Sequence, residues 1–235
     1  MLVAAAVCPC PPLLVPQVAA GAAPELDGAR DACADALGVL AAARPDRLVV
    51  VGPAGQDASY PEGSRGSFRG FGVDLDVRLG RGRTGDTTLR LPASLAVAAW
   101  LLDRAGWADA PMEGLGVAEP LPVERCVQVG RERAGSAGRV ALLVMGDASA
   151  CRTLKAPGYM DDRAAGFDAE VARALAGADV EALRALDTGL ARELKASGRA
   201  PWQILAGAAE GRGLGGSLLY DDAPYGVGYL VAAWS

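Results

Sequence analysis

A chain of 235 residues, 51% of them apolar, is long enough to bury one sizeable core, and its net charge of −5, with arginines interleaved among acids, argues against a nucleic-acid binder. It contains no histidine, so neither Ser-His-Asp nor Cys-His catalysis, nor a histidine-based zinc or non-haem iron site, can be built from this chain alone. No apolar run reaches the length of a bilayer span, and the apolar start at Met1–Val7 lacks a basic leader region, so a cytoplasmic protein is expected.

Leu2–Cys8 reads as a first buried strand, followed by the Pro-rich turn Cys8-Pro9-Cys10-Pro11-Pro12. A long helix is predicted from about Ala22 to Ala43, because Leu26, Ala29, Cys33, Ala36, Leu37 and Leu40 recur at three- and four-residue spacing. Arg44-Pro45-Asp46 closes it, since proline disfavours helical geometry in the residue before it. Arg47–Gly52 is a β-branched run suited to a buried parallel strand, which completes a βαβ unit. Pro53–Gly70 reads as a long loop, and the alternation over Phe71–Leu79 as a half-exposed strand.

Further on, Leu91–Ala105 is predicted helical, Val123–Val129 a strand, and Arg139–Met145 a second buried strand ending at Gly146-Asp147-Ala148-Ser149. The stretch from about Ala164 to Glu210 reads as helices broken at Gly177, Gly189 and Gly198, and Gly213–Tyr220 and Gly226–Trp234 as closing strands. Strands alternating with helices predict one α/β domain over the whole chain, with a central mixed or parallel sheet flanked by helices. Sites in such sheets gather outside the carboxyl ends of strands. Here those ends are Cys8–Gln17, Gly52–Asp57, Gly146–Cys151 and Tyr220–Gly228.

Five cysteines (Cys8, Cys10, Cys33, Cys126 and Cys151) show no zinc-ribbon spacing and are expected to be reduced and buried. Two of them have a further reading. Cys10 or Cys151 would be a nucleophile if its thiol were acidic, with Asp147 or Asp221 managing protons and Arg152 as the cation beside Cys151. A rebuilt metal site would draw on Cys8, Cys10, Asp221 and Asp222, the two cysteines facing one way along an extended strand. The glycine-dense Gly211–Gly216 runs from helix to strand, opposite to a dinucleotide fingerprint.

Several segments occur in an order that resembles a known family: Cys8–Gln17, the turn Val49-Val-Val-Gly-Pro53, Gly146–Ser149, Lys155-Ala-Pro-Gly-Tyr159, Phe167-Asp168 and Tyr225-Gly-Val-Gly-Tyr229. Together they resemble the LigB-like family of class III extradiol ring-cleavage dioxygenases. The resemblance implies the LigB-like fold, and in the family an Fe(II) held by two histidines and a glutamate, with a further histidine as acid/base. At the matching positions this chain has Cys10, Ala54 and Ala150 in place of the histidines, and Asp221 or Asp222 near the glutamate.

The expectation is therefore a degenerate member without Fe(II) ring cleavage and without a cofactor, binding a small molecule or a protein partner in the old cleft. Pro11, Pro12, Ala54, Ser149, Ala150 and Tyr225 would line that cleft. The alternative is an active oxidoreductase or Cys/Asp-dependent enzyme with a site rebuilt in the same place. Neither nucleic acid nor membrane is expected as a partner, and a homodimer packed through Trp234 is.

Overall fold

A computed structural model describes residues 1–82 and 89–235. Its centre is a seven-stranded mixed sheet. The strands are β1 (Leu2–Cys8), β2 (Arg47–Ala54), β3 (Ala58–Pro61), β6 (Met112–Ala118), β7 (Val140–Met145), β8 (Gly216–Asp222) and β9 (Tyr229–Trp234), in spatial order β3-β6-β2-β7-β1-β9-β8. β6, β2, β7 and β1 run parallel, whereas β3, β9 and β8 pair antiparallel to their neighbours. A separate ribbon joins β4 (Arg65–Ser67) to β5 (Asp76–Arg78).

The helices are α1 (Pro16–Ala19), α2 (Asp27–Ala42), α3 (Ala93–Arg104), α4 (Val123–Ala134), α5 (Ala164–Ala176), α6 (Val180–Arg184), α7 (Thr188–Glu193) and α8 (Arg199–Ala209). They divide between the two faces of the sheet. Alternate residues of β1 show why both faces are apolar: Ala4, Ala6 and Cys8 join the core beneath α2 and α3, while Ala5 and Val7 join that beneath α4, α5 and α8. The connections β1-α2-β2 and β2-α3-β6 step one way along the sheet, and β6-α4-β7 steps back. Right-handed crossovers then put α4 on the face opposite α2 and α3. Chain leaving β1 goes to one face and chain leaving β7, its neighbour, goes to the other. Their carboxyl ends thus flank a crevice, where a parallel sheet places its sites.

The structure bears out the single α/β domain with a mixed sheet and corrects several local expectations. The segment predicted as a strand at Val123–Val129 is helix α4. Pro122 precedes it, and the buried Cys126, Val127, Gly130 and Ala134 form a helical stripe, not an alternation. Strand β6 has no counterpart among the predicted elements, because glycines at 114 and 116 mask its pattern. A Cβ at Gly116 would stand 2.9 Å from the Ala54 Cβ and 3.1 Å from the Tyr60 ring, so β3 can pack there only against glycine.

Of the strand expected over Phe71–Leu79, only β5 pairs, since Phe71 closes a 3-10 turn and Gly72 follows at φ +82°. The loop expected at Pro53–Gly70 contains the end of β2 together with β3 and β4. Before Asp27 the predicted first helix is a 3-10 stretch, Ala20–Leu26, with Pro24 inside it. Gly177 and Gly198 do flank helices, but Gly189 lies within α7. Among the described residues no helix is long and apolar enough to cross a membrane.

Candidate functional site

Asp147 follows β7 and faces the loop after β1 across the crevice. Its Oδ1 accepts a hydrogen bond from the Cys10 backbone N–H at 2.8 Å, so the carboxyl bridges the two diverging chains. The Asp147 backbone is fixed as well: its N–H donates to Ser197 Oγ (3.0 Å), and its carbonyl accepts from Gly198 N–H (2.9 Å). The side chain is half-buried. Burial raises its pKa to about 7, and the Cys10 N–H bond offsets only part of that shift. A carboxyl in this condition holds or releases a proton near neutrality, the task that histidine usually performs.

Three tyrosines stand on the side of the crevice formed by β8, β9 and the turn between them. Burial chiefly, and then the Asp147 charge, keep the Tyr229 phenol protonated, with Tyr225 and Tyr220 acting in the same direction. The Tyr225 hydroxyl is shielded and sits against the Glu25 carboxylate without a hydrogen bond of standard geometry. Burial and then the neighbouring Glu25 carboxylate raise its pKa.

Cys10 is buried, and its thiol is pushed well up by burial and then by Asp147, the Ser197 hydroxyl acting the other way. Cys8 lies on the same side of the strand, but its thiol is hydrogen-bonded with that of Cys33, and this contact, then burial, pushes the Cys8 thiol well up. Cys151 is 2% exposed and donates to the Leu194 carbonyl at 3.5 Å. Burial raises its pKa, and Arg152, the cation the sequence set beside it, instead binds Asp168 Oδ2 at 3.0 Å.

All five thiols are free and buried. Iodoacetamide at pH 7 should therefore modify each of them at least about tenfold more slowly than free cysteine, and all five rapidly in urea. Mass-spectrometric peptide mapping over time checks this. Native reaction of Cys10 or Cys151 at the free-cysteine rate would restore it as a nucleophile.

The other expected residues are dispersed. Ser149 is fully buried and gives both its N–H (2.8 Å) and its hydroxyl (2.9 Å) to Asp168, tying the loop after β7 to α5. Ala150 is bound through its N–H to the Leu194 carbonyl. Pro11 is buried, Pro12 and Tyr225 are half-buried, and Ala54 ends β2. Asp221 and Asp222 are exposed at the end of β8. Register pairs Asp222, not Asp221, with Tyr229, so Asp222 shares that tyrosine's face, where it caps Ala223 N–H.

Neither aspartate bonds to Cys10 or Asp147, and the described residues hold no group of three or more Cys, Asp or Glu placed to take a metal ion. The set Cys8, Cys10, Asp221 and Asp222 does not converge. The donors that an Fe(II) triad needs do not fit at the family's positions: one is a protonated buried thiol, one is the methyl of Ala54, and one is an exposed carboxylate. Sequence reading passes over Ser197 and the placement of Tyr229. The Ser197-Gly198 break before α8 is their nearest signal.

No family model matches the chain, and no curated protein does. Among solved structures it is similar to the uncharacterized protein JW3007 from Escherichia coli K12, over 99% of each chain, with a TM-score of 0.52 and 14% sequence identity. At that identity the likeness concerns the fold alone.

Proposed function

We propose that this protein is a histidine-free relative of the LigB-like fold that binds a small phenolic molecule in the β1/β7 crevice without iron. One observation carries the reading: the Asp147 carboxyl is held half-buried between two diverging loops with a pKa of about 7. The ordered resemblance of the chain to the LigB-like family supports the fold and the ligand class. The loss of every family histidine argues against its iron chemistry. A phenol hydroxyl suits the site because Asp147 accepts from it when ionised and donates to it when protonated. The Tyr225 hydroxyl, which neighbours Tyr229 and Glu25, is assigned a second polar contact, and the prolines at 11 and 12 an apolar wall.

A proton-transfer enzyme on the same ligand is a second reading, favoured by the same carboxyl. It differs in requiring turnover that Asp147→Asn abolishes while binding persists.

Ligand-observed NMR with phenol, catechol and 4-hydroxybenzoate, using protein without a polyhistidine tag, tests the site. At least one of these should bind saturably, with an affinity that changes around pH 7. Asp147→Asn should remove the pH dependence, and Tyr225→Phe should weaken binding by about fivefold or more, the worth of one neutral hydrogen bond. Binding that both variants leave unchanged, or none by any of the three probes, would overturn the proposal.

A further inference from the structure

A second site lies away from this crevice. A groove of about 1010 Å³ is lined by Arg65, Arg69, Arg78, Arg81, Arg90 and Trp100, among others. Five arginines face it against two aspartates, Asp76 and Asp103, on a chain whose net charge is −5. All five arginines are exposed. Arg69 is neutralised by Asp74 (2.7 Å) and Asp76 (3.1 Å). Arg65, Arg78, Arg81 and Arg90 make no salt bridge to a described residue, although acids are plentiful elsewhere.

The arrangement of these arginines is built, not incidental. The β4–β5 register sets Arg65 directly opposite Arg78. Like charges so placed repel across a ribbon and cost stability. Beneath them Gly66 closes the packing, since a Cβ there would stand 3.0 Å from Ala96 and 3.1 Å from Val77, so the ribbon is pressed onto α3 and cannot splay to separate the charges. The backbone carrying Arg81 is fixed in turn: the Glu62 carboxylate accepts from the N–H groups of Arg81 (3.1 Å) and Gly82 (3.3 Å). Glu62 is thereby spent on the turn and leaves the Arg81 guanidinium without a salt bridge to a described residue.

We propose that this groove binds a small polyanion bearing two or more phosphate groups. Guanidinium pairs grip phosphate oxygens bidentately, and several of them held on a fixed ribbon suit linked phosphates better than one. The bound anion relieves the Arg65–Arg78 repulsion. Trp100 offers a ring beside the arginines, though Arg104 already stacks on it at 5.8 Å.

Isothermal titration of the full chain with pyrophosphate, tripolyphosphate and ADP, at fixed ionic strength set with NaCl, tests the proposal. Tripolyphosphate should bind at one saturable site, more tightly than pyrophosphate. R65S/R78S should weaken it by about tenfold or more, whereas R125S on α4 should not. Equal affinity for ADP and pyrophosphate would assign recognition to phosphates alone, and tighter ADP binding would add the Trp100 ring; both support the site.

Thermal melts guard against a merely misfolded variant. Without anion, R65S/R78S should melt at or above the wild-type temperature, and tripolyphosphate should raise the melting temperature of wild type only. Absence of saturable binding, or equal binding by wild type and R65S/R78S, would overturn the proposal.

Discussion

Gly207→Ala should destabilise the protein by about 3 kcal/mol or more, seen as a fall in the urea midpoint at unchanged slope. Helix propensity alone gives the opposite sign, because alanine in a helix interior is favoured over glycine by about 1 kcal/mol. Packing decides the matter. A Cβ at Gly207 in α8 would drive into the Val127 carbonyl and stand 2.6 Å from the Val127 Cα in α4. Reciprocally, a Cβ at Gly130 in α4 would meet the Ile204 carbonyl and lie 2.6 Å from the Ala208 nitrogen. These neighbours are backbone and cannot rotate away, so the two helices must part and open the core beneath them. Gly38→Ala is the matched control. Gly38 is an exposed position of α2 with nothing within 4 Å of its added methyl, so it should gain roughly 0.5–1 kcal/mol. If both variants shift the same way, the α4–α8 seam is looser than it stands here.

That seam also shows where sequence reasoning stops. Buried strands β1 and β7 are legible because short runs of Ala, Val and Leu bounded by turn residues have few other uses in an α/β chain. Helix α4 is not, because its inward face is Cys126, Val127, Gly130 and Ala134. Gly130 carries no apolar signal, and Val-Gln-Val at 127–129 imitates an alternation. Close helix contact and legibility conflict here: the residues that permit the approach carry little hydrophobic signal.

The site divides the same way. Strand ends are visible in sequence, so the loops bearing Cys10 and Asp147 can be named. Which carboxylate among Asp147, Asp221 and Asp222 is buried depends on which strands become neighbours, and on whether each chain leaves toward the same face. Those are long-range facts. The adjacency of β1 and β7, 137 residues apart at the Cys10–Asp147 bond, is the one that creates the site.

Asp147→Asn should make the protein more stable at pH 8 and leave it unchanged at pH 4. A carboxyl whose folded pKa is about 7 binds its proton more tightly in the folded than in the unfolded chain. Between about pH 4 and pH 7 the folded state therefore carries the extra proton, and wild-type stability falls as pH rises through that window, then levels off above it. Three pKa units set a ceiling of about 4 kcal/mol, and because solvent reaches the half-buried carboxyl, about 2 kcal/mol is the expected loss. Asparagine keeps an oxygen to accept from Cys10 N–H and removes the charge.

Other groups titrate too, Asp168 among them, with a pKa raised by burial. The informative quantity is thus the difference between wild-type and Asp147→Asn urea-unfolding free energies at each pH, in which their contributions cancel. A difference that grows from pH 4 to pH 7 identifies a residue retained at a cost to stability, the usual condition of a functional group. If Asp147→Asn is instead the weaker protein at pH 8, the ionised carboxyl serves chiefly to tie β7 to the loop after β1. The crevice would then lose the one observation that marks it as a binding site.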